Sequence, residues 1–304
     1  MVSVDVLAAL DALLWLRTGE RAAAYLQCTQ SIVSRHSRRC LEVFGLAMEK
    51  RAGEWCLCGD QTLIDLERGV HQLLRWRKGL GLRLEGQHWS RHWLAADIPP
   101  GWAAGNHNYF EYQRPLELLR KSLIDAWICS APDLPEDPDL HSIPVTAMPM
   151  ELLVKAGHPL LKRGDQLDWH DLDDYPVLPL PDGAFPKAQF MLEAQGLWSC
   201  PERNRRYQQA PWFGLVPIED LMIYFGTPFQ RAAGLLDGLL PLPLDLPITV
   251  GDAVVVKREF ATSPHLLSLL AALVSEARDL ATGLEAVQVV VPATPEVGER
   301  SHSR

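Results

Sequence analysis

Two hydroxyls and two guanidiniums, Ser31, Ser34, Arg35 and Arg38, recur at spacings of three and four residues. On a helix that spacing puts all four on one face. Val33, Cys40, Leu41 and Phe44 supply an apolar face opposite them. Thr29 is a suitable N-cap and Gly45 stands where a helix C-terminal glycine belongs, so the pattern predicts a helix from Gln30 to about Phe44. Hydroxyls and guanidiniums near a helix N-terminus suit contacts to base edges and phosphates in a DNA major groove. A solvated polar face is the other meaning of the same stripe.

Other residue types that could do chemistry fall in poorer patterns. Cys56-x-Cys58 has the wrong spacing for a zinc knuckle, and no second pair stands nearby. His88, His92, Asp97 and His107 lie in a Trp-rich segment without a clear helix and read as surface histidines rather than a metal cluster. The chain has no Gly-x-Ser-x-Gly, no Gly-x-Gly-x-x-Gly and no Walker loop. The expectation is therefore no catalytic residue, no metal and no cofactor.

The chain that must position these groups has 304 residues, 47% of them hydrophobic and 22% charged. That is enough for about two domains with a sizeable core, and it excludes a disordered or collagen-like chain. No apolar run is long enough to span a membrane. The start, Met1-Val2-Ser3-Val4-Asp5, lacks a basic run, which predicts no secretory signal, six reduced cysteines and a cytoplasmic location. The net charge of −9 is unevenly spread: residues 1–83 hold 12 Lys/Arg against 9 Asp/Glu. Between 17 and 51 there are 7 basic residues and 3 acidic ones. A small basic head on an acidic body fits a DNA-binding module joined to a sensing domain.

Spacing of the apolar residues predicts helices over about 3–16 and 20–26 ahead of the Ser/Arg helix. Residues 46–57 fold back at Ala52-Gly53-Glu54 and could form a two-stranded wing carrying Lys50 and Arg51. A long helix follows over 60–79, with Leu63, Leu66, Val70 and Leu73 as a dimer seam. Gly79 and Gly81 break it. Beyond them strands and helices alternate: strands at 82–84, 109–112, 126–129, 151–154, 177–180 and 253–256, with helices at 115–122 and 266–277. Such alternation predicts an α/β domain with largely parallel sheets.

Ala22-Ala23-x-x-Leu26, Thr29-Gln30-Ser31-x-Val33-Ser34-Arg35, Leu41-Glu42 and Gly45-Leu46 together resemble the winged helix-turn-helix of LysR-type transcriptional regulators. Asp125-Ala126-Trp127-Ile128, Leu152-Leu153-Val154 with His158-Pro159-Leu160, Leu172-x-x-Tyr175-Pro176 and Val254-Val255-Val256 resemble later segments of the same family. The resemblance spans roughly residues 3–290. It implies a winged helix-turn-helix over 1–59, a dimerising linker helix over 60–79 and an α/β effector domain over 80–292. That domain would have two lobes, as in type 2 periplasmic binding proteins, and a loose tail would follow over 293–304. It implies double-stranded promoter DNA and a small-molecule effector as partners, and a homodimer or homotetramer.

By the same resemblance Gln30, Ser31, Ser34 and Arg35 meet base edges or backbone. Thr29, Arg38 and Arg39 lie nearer phosphates, and Lys50 and Arg51 serve the wing. The effector cleft maps to Ser90, Gln113, Arg114, Ser130 and Trp212, strand ends and helix starts where free amides and a guanidinium favour an anion. The likeness thins around Ile98-Pro99-Pro100-Gly101-Trp102, where the family has a full helix, and at 209–224, which lacks the family's glycine-rich helix. Trp89, Trp93, Trp102, Trp127 and Trp212 add aromatic bulk that suits a core or a flat apolar ligand. Two alternatives stay open: a regulator of this build with a degenerate pocket, and an α/β solute-binding protein with a helical appendage.

Overall fold

The structure is a computed structural model that describes residues 2–51, 53–87, 90, 98–105, 110–178, 180–181, 183–197 and 221–290. Three helices open the chain: α1 (Val4–Leu16), α2 (Gly19–Tyr25) and α3 (Gln30–Phe44). Thr18 caps α2 by accepting the Arg21 N–H, and Thr29 caps α3 by accepting the Ile32 N–H. Gly45 closes α3 at φ +64°, a conformation in which a Cβ is unfavourable. A hairpin follows, β1 (Ala47–Arg51) antiparallel to β2 (Glu54–Cys58), with Lys50 opposite Trp55 and Arg51 opposite Glu54. These five elements form the head.

α1 is apolar almost all round because it serves two cores. Ala12 and Leu13 pack with Ala22, Ala23 and Val33 of the head. Leu7, Leu10, Leu14 and Trp15 pack with Leu116, Leu119, Leu123 and Trp127 of the body. A helix that is hydrophobic on every side is a buried helix, and this one lies between head and body.

α4 (Thr62–Lys78) buries a single stripe, Ile64, Arg68, Gln72 and Trp76, at a spacing of four. Arg68 Nε donates to Asp11 Oδ1 of α1 at 2.9 Å, and Gln72 Nε2 donates to the Ile124 carbonyl at 3.0 Å. Arg75 holds Asp125 through Nε (2.8 Å) and Nη2 (3.0 Å). Trp76 stacks on Phe260 with centroids 4.8 Å apart. The other face presents Leu63, Leu66, Val70 and Leu73, exposed by 67, 66, 63 and 53%.

The body holds two sheets. The larger runs β12 (Gln288–Val289), β7 (Thr146–Pro149), β11 (Thr249–Lys257), β5 (Ala126–Ala131), β3 (Leu82–Gly86), β4 (Trp102–Ala104), with β6 (Leu140–Pro144) also paired to β11. The smaller runs β10 (Leu239–Pro241), β8 (Glu151–Lys155), β9 (Ile223–Gly226). The chain leaves the first lobe between β7 and β8 and returns between β10 and β11, so two crossings join the lobes. α5 (Gln113–Arg120) packs on the first sheet, α6 (Pro186–Ala194) belongs to the second lobe, and α7 (Pro228–Ala232) follows β9. α8 (Pro264–Leu280) then closes the core with Leu266, Leu269, Leu270, Leu273, Val274 and Ala277.

Three expectations need correction. Among the described strands only β3–β4 and β3–β5 are parallel; the other pairings are antiparallel, so the sheets are mixed. Phe110–Tyr112 is no strand but the approach to α5, which begins at Gln113, ahead of Pro115. Val177 forms an isolated bridge to Ile223 and does not open a strand. The missed antiparallel strands β6 and β7 each end in proline, Pro144 and Pro149, which read as breaks in the sequence although proline is tolerated at strand ends. In the thin region of the resemblance, Trp102 begins β4 and donates its Nε1–H to the His265 carbonyl at 3.2 Å. Trp102 and Trp127 pack in the core. Trp89, Trp93 and Trp212 lie outside the described residues, as do His88, His92, Asp97, His107 and the tail from 293.

Candidate nucleic-acid interface and effector cleft

α3 turns Val33, Ser37 and Cys40 into the head and leaves Gln30, Ser31, Ser34, Arg35, Arg38 and Arg39 on its exposed surface. Ser37 joins this inner face, and Leu41 and Phe44, partly buried, pack against the core beside it. Thr29 Oγ1 and Ser31 Oγ lie 2.8 Å apart at the helix start. Among the described residues Arg35, Arg38 and Arg39 have no hydrogen-bond or ion-pair partner, so their charges face water. On the wing, Lys50 Nζ lies 5.2 Å from the Trp55 ring centre, and Arg51, 70% exposed, pairs with Glu49. One exposed helix face and one hairpin edge thus carry hydroxyls and cations, a set suited to phosphates and base edges.

The expected effector residues divide. Ser90 is buried, and its hydroxyl donates to the Gln87 carbonyl at 2.7 Å. Ser130, at the end of β5, donates its hydroxyl to Gln87 Oε1 at 3.1 Å. Both therefore converge on Gln87, just past the end of β3. Gln113 is exposed at the start of α5. Trp212 lies outside the described residues. Arg114 spends its guanidinium on the seam with the head, across a small void that it borders together with Gln87.

That seam is a cluster of charges which sequence reasoning did not single out, apart from Arg114. Arg114 Nη2 donates to the carbonyls of Leu14 (2.7 Å) and Trp15 (3.0 Å) at the end of α1, and its Nε lies 3.1 Å from Glu54 Oε2. Arg17, in the left-handed conformation at φ 70°, caps α1 and sends Nε to both oxygens of Glu54 at 2.7 and 2.9 Å. Its Nη2 donates to Glu111 at 2.5 Å. Trp15 Nε1 donates to Glu85 Oε2 at 2.7 Å, and the Gly86 N–H reaches Glu85 Oε1 at 3.2 Å. A Cβ on Gly105 would sit 2.6 Å from the Glu85 carboxylate, so that position must stay bare. Burial raises the Glu85 and Glu111 carboxyls, an effect that Arg17 and Arg114 partly offset. The void bordered by Arg17, Glu85, Gln87, Glu111 and Arg114 is no larger than a water molecule.

Two further carboxyls lie deeper. Asp133 follows β5, and its Oδ1 accepts the Lys187 N–H of α6 at 2.6 Å, joining the first lobe to a helix start in the second. Burial pushes its carboxyl up to about 6, against the pull of the Lys187 and Ala188 amides. Asp252, on β11 opposite Ser130, is pushed by burial to about 7 and is eased only by the Thr146 hydroxyl. Both values stand above those of the unfolded chain. The folded protein therefore keeps protons that the unfolded chain releases, and these groups cost stability as pH rises from about 4 to about 7. Asp252→Asn should match the parent melting temperature near pH 4 and exceed it by several degrees at pH 8. Thermal melts of both proteins across that range check it; a constant difference at every pH would disprove the assignment.

Among the described residues no group of three or more His, Cys, Asp or Glu could hold a metal, and no helix is long and apolar enough to cross a membrane.

Comparison with known proteins bears out the resemblance read from the sequence. Residues 110–199 match the family model of the LysR substrate binding domain. Full-length OxyR from Pseudomonas aeruginosa, in a form with one cysteine replaced by aspartate, superposes with a TM-score of 0.57 at 15% identity, over 91% of this chain and 97% of that one. A cysteine mutant of Corynebacterium glutamicum OxyR gives a TM-score of 0.52 at 15% identity, over 92% of this chain and 93% of that one. A cysteine-to-serine mutant of the same protein, described as H2O2-bound, gives 0.50 at 15% identity, over 96% and 98%. At this identity the likeness concerns the fold, which the chain shares from head to body. No curated protein matches the chain.

Proposed function

We propose that the chain is a LysR-type transcriptional regulator that binds promoter DNA sequence-specifically through α3. In this reading residues 1–59 are the DNA-binding head, 60–79 the dimerising linker, 80–292 the two-lobed effector domain and 293–304 a loose tail. The protein works in the cytoplasm as a homodimer or homotetramer. The observation that carries the reading is the face of α3: Ser31, Ser34, Arg35 and Arg38 are exposed together on a capped helix. The arginines lack partners among the described residues. Gln30, Ser31, Ser34 and Arg35 are assigned to base edges or backbone, Thr29, Arg38 and Arg39 to phosphates, and Lys50 and Arg51 to the wing's contact with DNA. Ser90, Gln113, Ser130 and Trp212 stay assigned to the effector cleft.

Selection of bound fragments from genomic DNA at about 0.15 M salt tests this. A motif with two-fold symmetry should emerge, and affinity should fall steeply with added salt. Arg35→Ala should weaken binding by roughly tenfold to a hundredfold, the range for one well-placed base contact. Equal recovery by parent and variant would remove α3 from the interface.

A second reading is the same build with a pocket that takes no effector: Ser90 and Ser130, two of the residues assigned to the cleft, donate their hydroxyls to Gln87. A dose-dependent rise in melting temperature with any small metabolite would decide against it.

A further inference from the structure

We infer that the head is clasped to the first lobe by its own chain, with Glu54 and the carbonyl end of α1 serving as a built-in ligand for Arg114. The inference rests on the effector reading of this cleft only for the role first expected of Arg114. Arg114 offers five N–H donors in a fixed fork. The head engages that fork at the Leu14 and Trp15 carbonyls and at Glu54. The carbonyls are the negative end of the α1 dipole, where a cation is favoured. Glu54 is shared: one guanidinium on it comes from the body, Arg114, and one from the head, Arg17. Arg17 in turn reaches Glu111 of the body. Trp15 closes the cluster by donating to Glu85 on β3.

The contacts run in both directions across the seam. Head donors reach body carboxylates at Glu85 and Glu111, and a body donor reaches head acceptors. An apolar layer, Leu7, Leu10 and Leu14 against Leu116, Leu119 and Trp127, underlies the charges and keeps water from them. With the side chains of Arg17 and Arg114 only 5 and 17% exposed, the pairings are desolvated enough to matter. Two things follow. Head and first lobe move as one body. A small acid that pairs with Arg114 competes there with Glu54 and the α1 carbonyls.

Hydrogen exchange by mass spectrometry on the full chain tests the clasp, using the parent, Arg114→Ala and the near-isosteric Glu54→Gln. In Arg114→Ala the amides of Trp15–Arg17 and Glu54–Cys58 should exchange about tenfold faster, with a smaller acceleration in Glu54→Gln. Amides of β5 and β11 should keep their parent rates. Parent rates at the seam in both variants would overturn the clasp. So would equal acceleration at the seam and in β5 and β11, because Arg114 would then merely support the fold. DNA binding is scored separately, so a chain that selects no DNA sinks the proposed function and leaves the exchange result standing.

Discussion

Asp11→Ala lowers the melting temperature by roughly 5 °C. Asp11 and Arg68 form an ion pair with side-chain exposures of 2 and 1%, and Arg83 Nη1 lies 3.8 Å from the second Asp11 oxygen. Removing the carboxylate leaves two buried guanidiniums with less compensation, and such a loss costs about 3–5 kcal/mol. Asp65 still holds Arg68 Nη1 at 2.8 Å, which puts the expected cost near about 3 kcal/mol, the lower end of that range. For a chain of 304 residues each kcal/mol moves the midpoint by about 1.5–2 °C. The double variant Asp11→Leu with Arg68→Met should recover most of the loss, since an apolar pair of similar volume replaces a buried ion pair at little cost. Calorimetry on the parent, the single and the double variant decides it. A single variant that melts with the parent would mean that water already solvates the pair.

Leu66→Glu combined with Leu73→Glu should halve the proposed assembly, a dimer to monomers or a tetramer to dimers. Leu63, Leu66, Val70 and Leu73 each leave more than half their surface in water, while the opposite stripe of α4 is buried in the same chain. Full burial of each side chain in a second copy is worth about 1.5–3 kcal/mol. Leu66 and Leu73 are one heptad apart, so both carboxylates would enter one seam. Sedimentation at micromolar concentration reads the outcome. A parent that is already monomeric, or a variant of unchanged mass, would refute the seam. Because the stripe faces away from the core, the variant should keep the parent's melting temperature at high dilution.

The sequence made some of this legible and hid the rest for physical reasons. Local signals worked: Thr29 and Gly45 bounded α3, Gly53 marked the wing turn, and the a/d spacing identified the open face of α4. These depend on neighbours within a turn or two, which a single sequence displays. The mixed pairing of the sheets was hidden, because strand direction depends on partners far away and Pro144 and Pro149 masked two antiparallel strands. The seam was hidden more completely. Arg17 meets Glu54, Glu111 lies beyond the linker, and Trp15 meets Glu85 seventy positions on. No spacing rule links such residues. Family likeness put Arg114 at a ligand-reading position, and the fold turned its fork toward the head.

The acceptors that Arg114 takes from α1 are main-chain oxygens. No side-chain replacement at Leu14 or Trp15 deletes them, so Arg114 keeps these two acceptors for as long as α1 keeps its helical end. A transplant has no such guarantee. A foreign head grafted onto this body at residue 59 would bring its own helix end but would need an acid in place of Glu54 and a base in place of Arg17. Without both, the graft would leave Arg114 and Glu111 as stranded charges, and the chimera would inherit a fault line where the natural chain has a clasp.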